Sequence, residues 1–129
     1  MADSQRRILY IEDNPDNRLL ALRILTAEGY EVLVAANGAE GLAKAAENKF
    51  SLILVDINMP EIDGYAVTSQ LREMPHLARV PIVALTANVM RGDREKTLAA
   101  GCDGYIQKPI DIDIFPQQLA RFIEEAQPT

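Results

Sequence analysis

Polar residues of complementary chemistry stand directly after apolar runs in this 129-residue chain. Glu12 and Asp13 follow Arg7-Ile-Leu-Tyr-Ile11, and Asp56 follows Leu52-Ile-Leu-Val55. Thr86 follows Pro81-Ile-Val-Ala-Leu85, and Lys108 follows Gly104-Tyr-Ile-Gln107. Three carboxylates brought together repel, and their pKa values rise unless a cation compensates them. A hard divalent ion held by few carboxylates and several waters points to Mg²⁺, which also partners phosphates. Once so neutralised, one carboxylate can act as nucleophile toward phosphorus and form an acyl phosphate. Transfer of that kind rests on positioning and charge stabilisation, for which an ammonium and a hydroxyl each offer a contact to a phosphoryl oxygen. Asp56, Lys108 and Thr86 supply nucleophile, ammonium and hydroxyl. Taken singly, each has a plainer account: Asp56 or Thr86 merely ends a strand, and Lys108 is a surface amine. Only the constellation favours chemistry.

The apolar runs must then be strands that deliver these groups to one edge. Leu52 to Val55 is apolar throughout, as in a strand buried on both faces of a parallel sheet. Open α/β sheets use their carboxyl edge for binding. Arg7–Ile11, Glu31–Ala35, Pro81–Thr86 and Gly104–Lys108 read as the other strands. Between them the pattern predicts helices. Asn14-Pro15-Asp16 has the cap, the early proline and the acid of a helix start; Leu19, Leu22 and Leu25 give that helix an apolar face, and Gly29 ends it. The turn Asn37-Gly38 precedes a short alanine-rich helix over Ala39–Asn48. A third helix spans about Gly64–Glu73, with Val67 and Leu71 inward and Pro75 breaking it.

Asn88–Ala100 is a weak helix, since Gly92 costs about 1 kcal/mol relative to Ala and Arg91-Gly-Asp-Arg-Glu-Lys96 is solvent-loving throughout. The last helix takes Asp113 as its N-cap. That leaves Pro116 in the first turn, where its missing N–H is tolerated, and turns Leu119, Phe122 and Ile123 to the sheet. Five strands alternating with five helices make an α/β fold, (βα)5, with a parallel sheet. Right-handed crossovers leave few strand orders, and the doubly wound order 2-1-3-4-5 known for flavodoxin-like sheets fits best.

A chain of this length suits one domain, which buries roughly two-thirds of the surface its unfolded form exposes. Apolar residues make up 48% and charged ones 25%, the balance of an ordinary globular protein. The net charge of −6 argues against direct nucleic-acid binding. No stretch is apolar enough to span a membrane, the N-terminus lacks a signal-peptide core, and the lone Cys102 rules out an internal disulfide. A cytoplasmic protein is expected. The initiating Met and the short tail after Phe122 lead us to expect one stand-alone domain over residues 1–129, without an output domain. Cys102 reads as a small core or turn residue. His76, between Pro75 and Pro81, has no acidic partner and reads as a surface residue, not a phosphodonor.

Four segments carry a resemblance. Tyr10-Ile-Glu-Asp-Asn14, Val55-Asp-Ile-Asn-Met-Pro60 with Gly64 beyond, Ala84-Leu-Thr-Ala87 and Tyr105-Ile-Gln-Lys-Pro109 resemble the signature of two-component response-regulator receiver domains. The likeness runs from Ile8 to Phe122. Within the family the chain is most similar to stand-alone receivers of the chemotaxis and cell-polarity type. Ala87-Asn-Val-Met-Arg-Gly-Asp93 also resembles receivers of hybrid kinases. The resemblance implies that Asp56 accepts phosphate from a histidine kinase or a phosphotransfer protein. Asp13, Asp56 and the backbone carbonyl of Asn58 would bind Mg²⁺, or Mn²⁺ in its place, and Glu12 would hold a metal-bound water. Lys108 would pair with the phosphoryl group, and its bond to Pro109 would be cis. Thr86 and Tyr105 would form the switch, while Asn58 and Asn88 would tune dephosphorylation. On sequence alone Tyr105 is equally well read as a half-buried strand aromatic.

The expectation is therefore a phosphorylation switch rather than an enzyme with steady turnover. Phosphate on Asp56 would alter partner affinity at the face made by the fourth helix, fifth strand and fifth helix. A receiver module of a hybrid histidine kinase is the nearest alternative. A Mg²⁺-dependent phosphatase working through an aspartyl phosphate would want a second acid where Asn58 stands. A flavodoxin-like electron carrier would want a hydroxyl- and glycine-rich loop where Glu12-Asp-Asn-Pro-Asp16 stands.

Overall fold

The central strands carry unbroken apolar runs because both faces of their sheet are covered. The structure, a computed structural model, describes residues 6–57, 64–86, 91–108 and 110–126, the side chains of 91–94 and 126 excepted. In chain order the elements are β1 (Arg7–Ile11), α1 (Pro15–Ala27), β2 (Glu31–Ala35), α2 (Gly38–Glu47), β3 (Leu52–Asp56), α3 (Gly64–Arg72), a 3₁₀ turn (Pro75–Leu77), β4 (Ile82–Thr86), α4 (Arg91–Ala99), β5 (Gly104–Gln107) and α5 (Phe115–Ala126). The strands are all parallel and lie in the order β2-β1-β3-β4-β5. The expected doubly wound α/β topology is the one observed.

Strand alternation divides the core into two layers. Ile8, Tyr10, Leu52, Leu54, Val83 and Leu85 face Ala21 and Leu25 of α1 and Phe115 and Leu119 of α5. Leu9, Ile11, Ile53, Val55, Ile82 and Ala84 face Ala45 of α2 and Val67 and Leu71 of α3. Phe122 and Ile123 pack against the first layer, as their spacing on α5 requires.

The helix ends follow local chemistry. The Asn14 side chain caps α1, accepting from the N–H groups of Asp16 and Asn17 at 2.8 and 3.0 Å. At the other end Gly29 adopts φ +95°, and the N–H groups of Gly29 and Tyr30 reach back to the carbonyls of Thr26 and Leu25 at 3.0 and 3.1 Å. This is the paired C-terminal closure that a left-handed glycine permits.

Two expectations about the helices need correction. Leu19 does not join the buried face of α1: it is 46% exposed, Leu22 is half-buried, and Ala21 and Leu25 make the contact. Residues four apart stack on one helix face, so the 21/25 pair wins over the 19/22/25 spacing, and α1 approaches the sheet closely through its alanine. Asp113 does not cap α5, which begins at Phe115, so Pro116 is its second residue. Asp113 instead lies in the preceding turn, where its N–H donates to the Asp111 side chain at 3.0 Å.

The helix α4 is described in its side chains only from Glu95 onward. Thr97 is buried, Leu98 on the same helix is 48% exposed, and the Arg72 guanidinium secures the helix's trailing end. Arg72 donates through Nε to the Gly101 carbonyl at 2.9 Å and through Nη1 to the carbonyls of Leu77 and Val80 at 2.9 and 2.8 Å. Its Nη2 pairs with Asp103, whose carboxylate also accepts the Ile82 N–H. One planar fork therefore ties α3, the entry to β4 and the α4–β5 turn together.

Candidate functional site

Register places the acids side by side. Ile11 pairs with Val55 across β1 and β3, so the next residues, Glu12 and Asp56, are neighbours at the carboxyl edge. Both share the face of Tyr10 and Leu54, because side chains two apart on a strand point the same way. Glu12 and Asp56 are buried, at 1% and 2% exposure, whereas Asp13 is exposed. Carboxylate oxygens of Glu12, Asp13 and Asp56 lie within 4.8 Å of one another. Beyond β3, Gly64 opens α3 so close to the strand end that a Cβ there would lie 2.8 Å from Ile57 Cα and 3.0 Å from the Asp56 carbonyl oxygen. Only glycine allows the chain to return that tightly over the site.

The other predicted residues converge as their strand positions imply. Lys108 Nζ lies 2.8 Å from Asp56 Oδ1 and 3.4 Å from Glu12 Oε1. Its backbone N–H donates to the Thr86 carbonyl at 2.8 Å, which ties the end of β5 to the end of β4. The strand β5 itself stops at Gln107, so Lys108 is the first residue past it rather than its last. Thr86 is buried at 3% exposure, and Tyr105 is half-buried, paired in register with Ala84. Strand alternation puts Thr86 on the face of Ala84, so Thr86 and Tyr105 are diagonal neighbours in the layer that α3 covers. Asn58, Asn88 and Pro109, with the Lys108–Pro109 peptide bond, lie outside the described residues.

Electrostatics at this edge are those of acids short of positive charge. Burial, and a hydrogen bond with Asp56, push the Glu12 carboxyl up to about 7, while the bond from Tyr10 works in the opposite sense. The Tyr10 phenol is displaced far upward, first by burial and then by the Glu12 charge, so it remains a proton donor. An all-oxygen donor set with one ligand open to solvent suits a hard cation such as Mg²⁺, which keeps part of its water shell. The residues present therefore fit a divalent cation. Burial also pushes the Cys102 thiol up to about 11, and it packs as a core residue, as its sequence context suggested. His76 is exposed, with Nε2 set 2.7 Å from the Ala45 carbonyl at the end of α2.

Three residues around Glu12 are not among the site residues expected from the sequence. Tyr10 donates its hydroxyl to Glu12 Oε1 at 2.8 Å, Asn17 Nδ2 approaches the same oxygen at 3.5 Å, and Arg18 Nη1 donates to the Glu12 carbonyl at 2.8 Å. For Tyr10 a signal does exist, since a residue two before Glu12 on a strand shares its face. Asn17 and Arg18 depend on how α1 is set against the strand, which no local pattern reports.

A doubly wound parallel sheet whose carboxyl edge gathers three acids and a lysine is the frame of a receiver. Residues 8–120 match the response regulator receiver domain, and the chain belongs to that family. It is 36% identical over 121 residues to the polar-differentiation response regulator DivK of Brucella anthropi, with 94% of this chain and 98% of that protein covered. Its structure is similar to that of the chemotaxis protein CheY4 of Vibrio cholerae, with a TM-score of 0.88, 30% identity, and 92% of this chain and 98% of that one covered. It is also similar to the receiver domain of a sensor histidine kinase from Pseudomonas aeruginosa, whose structure has a magnesium ion coordinated in the active-site cleft; the TM-score is 0.84, the identity 38%, and the coverage 92% and 98%. No described helix is long and apolar enough to cross a membrane.

Proposed function

We propose that this receiver acts as a stand-alone phosphorylation switch of a two-component phosphorelay, with Asp56 as phosphoacceptor. The observation that carries the reading is the contact of Lys108 Nζ with Asp56 Oδ1 at 2.8 Å, at the buried floor of the acidic group. A carboxylate oxygen of Asp56 forms the new O–P bond, the P–N bond to the donor's histidine breaks, and the departing imidazole takes up a proton. Lys108 pairs with the transferred group, and the Thr86 hydroxyl contacts another of its oxygens. Asp13 and Asp56 would hold Mg²⁺, with the Asn58 carbonyl that the family resemblance adds, and Glu12 would act through a water. When bound, the cation neutralises the carboxylates and offsets charge on the phosphoryl oxygens.

Partners follow from the family: receiver domains work between histidine kinases or phosphotransfer proteins and downstream protein targets. In this chain the output runs through Thr86 and Tyr105 to the face of α4, β5 and α5. The exposed apolar side chain of Leu98, next to buried Thr97 on α4, supports that assignment. The near-complete coverage of DivK, 98% of its length, supports action as a single domain.

The test is incubation with Mg²⁺ and a small phosphodonor such as acetyl phosphate. One labile phosphate per chain is expected in the wild type and none in Asp56→Ala. Label persisting in the variant, or steady turnover of a phosphate ester, overturns the assignment. The 38% identity to the sensor kinase's receiver favours one second reading, a module of a hybrid kinase. An immunoblot of the native source then finds a band far above 14.3 kDa instead of at that mass.

A further inference from the structure

We propose that Tyr10 is a positioning residue for Glu12, its buried phenol aiming that carboxylate at the cation site. The inference rests on the reading above, in which Glu12 belongs to that site. Tyr10 is fully buried, and its ring fills the layer between the sheet and helices α1 and α5. A phenylalanine would fill nearly the same volume, so packing does not account for the hydroxyl. A buried hydroxyl is costly unless hydrogen-bonded, and this one donates to Glu12 Oε1 at 2.8 Å.

The donors around Glu12 are unequal. Lys108 Nζ stands 3.4 Å from Oε1 and lies closer to Asp56, so it leaves Glu12 when a phosphoryl group claims it. Asn17 Nδ2 is 3.5 Å away, at the limit of a hydrogen bond. The phenol approaches more closely than either, on a rigid ring held in the packed layer. Nothing in a phosphoryl transfer competes for this donor, so it is the one expected to keep Oε1 when Lys108 turns away. Oε2 accepts the Asn14 N–H at 3.3 Å, and the carboxylate is also hydrogen-bonded with Asp56 at the acidic edge. Groups that orient a metal's direct ligands typically change its affinity about 10- to 100-fold when removed, and because Glu12 acts through a water the low end of that range applies to Tyr10.

The test is calorimetric titration of the full chain with Mg²⁺ at pH 8, for wild type, Tyr10→Phe, Glu12→Gln and the double variant. We expect Tyr10→Phe to bind about 10-fold more weakly. Added to Glu12→Gln it should weaken binding no further, because its effect passes through that carboxylate. Unchanged affinity in Tyr10→Phe overturns the inference alone, and so does an equal loss in the Glu12→Gln background, which would indicate general loosening. A wild-type chain that takes up no Mg²⁺ overturns the proposed function as well. Proton NMR of the wild type gives a check that needs no variant. A slowly exchanging Tyr10 hydroxyl proton should be seen both without and with Mg²⁺, and rapid exchange with water in either state counts against the inference.

Discussion

Lys108 Nζ sits 2.8 Å from Asp56 Oδ1 and 3.4 Å from Glu12 Oε1, so a single ammonium serves two buried carboxylates. The arrangement leaves the edge one positive charge short even before Asp13 is counted. That shortage suits the edge to a divalent cation, and it makes the stability of the fold and the chemistry of the site report on each other.

Removing the ammonium should therefore destabilise the chain conditionally. Breaking a buried ion pair costs about 3–5 kcal/mol, and the low end applies because the Lys108 side chain keeps 19% exposure. Lys108→Met should lose about 3 kcal/mol in urea unfolding without Mg²⁺ at neutral pH. With saturating Mg²⁺ the loss should shrink. An equal loss in both conditions would show that the cation does not offset these charges.

Stability should also fall with rising pH through Glu12. Its carboxyl is shifted from 4.5 up to about 7 in the folded chain, so between these values the folded form keeps a proton the unfolded form has lost. Folding then takes up protons, and the Glu12 contribution weakens as pH rises from about 4.5 to 7. Thermal unfolding from pH 5 to 8 should show Glu12→Gln gaining on the wild type across that window. Mg²⁺ should raise the wild-type midpoint more at pH 8 than at pH 5.5. A pH-independent difference between the two chains would remove Glu12 as the source.

The seating of α5 depends on one glycine. A Cβ on Gly104 would lie 2.4 and 2.5 Å from atoms of the Phe122 ring. Gly104→Ala should cost about 1–3 kcal/mol by pushing α5 off the sheet. Phe122→Leu in the same chain should recover part of it, a non-additivity readable in a double-mutant cycle. Additive losses would show that the ring does not press on this position.

Switching should appear in α4 with a gradient along it. Arg72 holds the turn after α4 through the Gly101 carbonyl at 2.9 Å, while Thr97 anchors the helix body. On phosphorylation, amide exchange should change over residues 91–97 and stay constant at Gly101 and Cys102. Arg72→Ala should extend the change through the turn, and Arg72→Lys should not restore it, since an ammonium lacks the planar fork. Exchange in α4 that ignores phosphorylation would move the output elsewhere.

Residue type and order were sufficient for the elements and the edge. Apolar runs such as Leu52 to Val55 name strands buried on both faces, Asn14-Pro15 and Gly29 bracket α1, and each reactive candidate stands at a strand's end. Local chemistry also misled, at Leu19 and Asp113. Which helix residues meet the sheet depends on how near the helix sits. The start of α5 is set by the turn in which Asp111 accepts the Asp113 and Phe115 N–H groups. Only the tertiary structure decided how the acids are satisfied. Register between β1 and β3 sets Glu12 beside Asp56, the β5 end brings Lys108 between them, and the layer under α1 turns the Tyr10 hydroxyl onto Glu12. These contacts join residues from separate strands and helices, and their strength comes from shared burial, which no single segment of sequence contains.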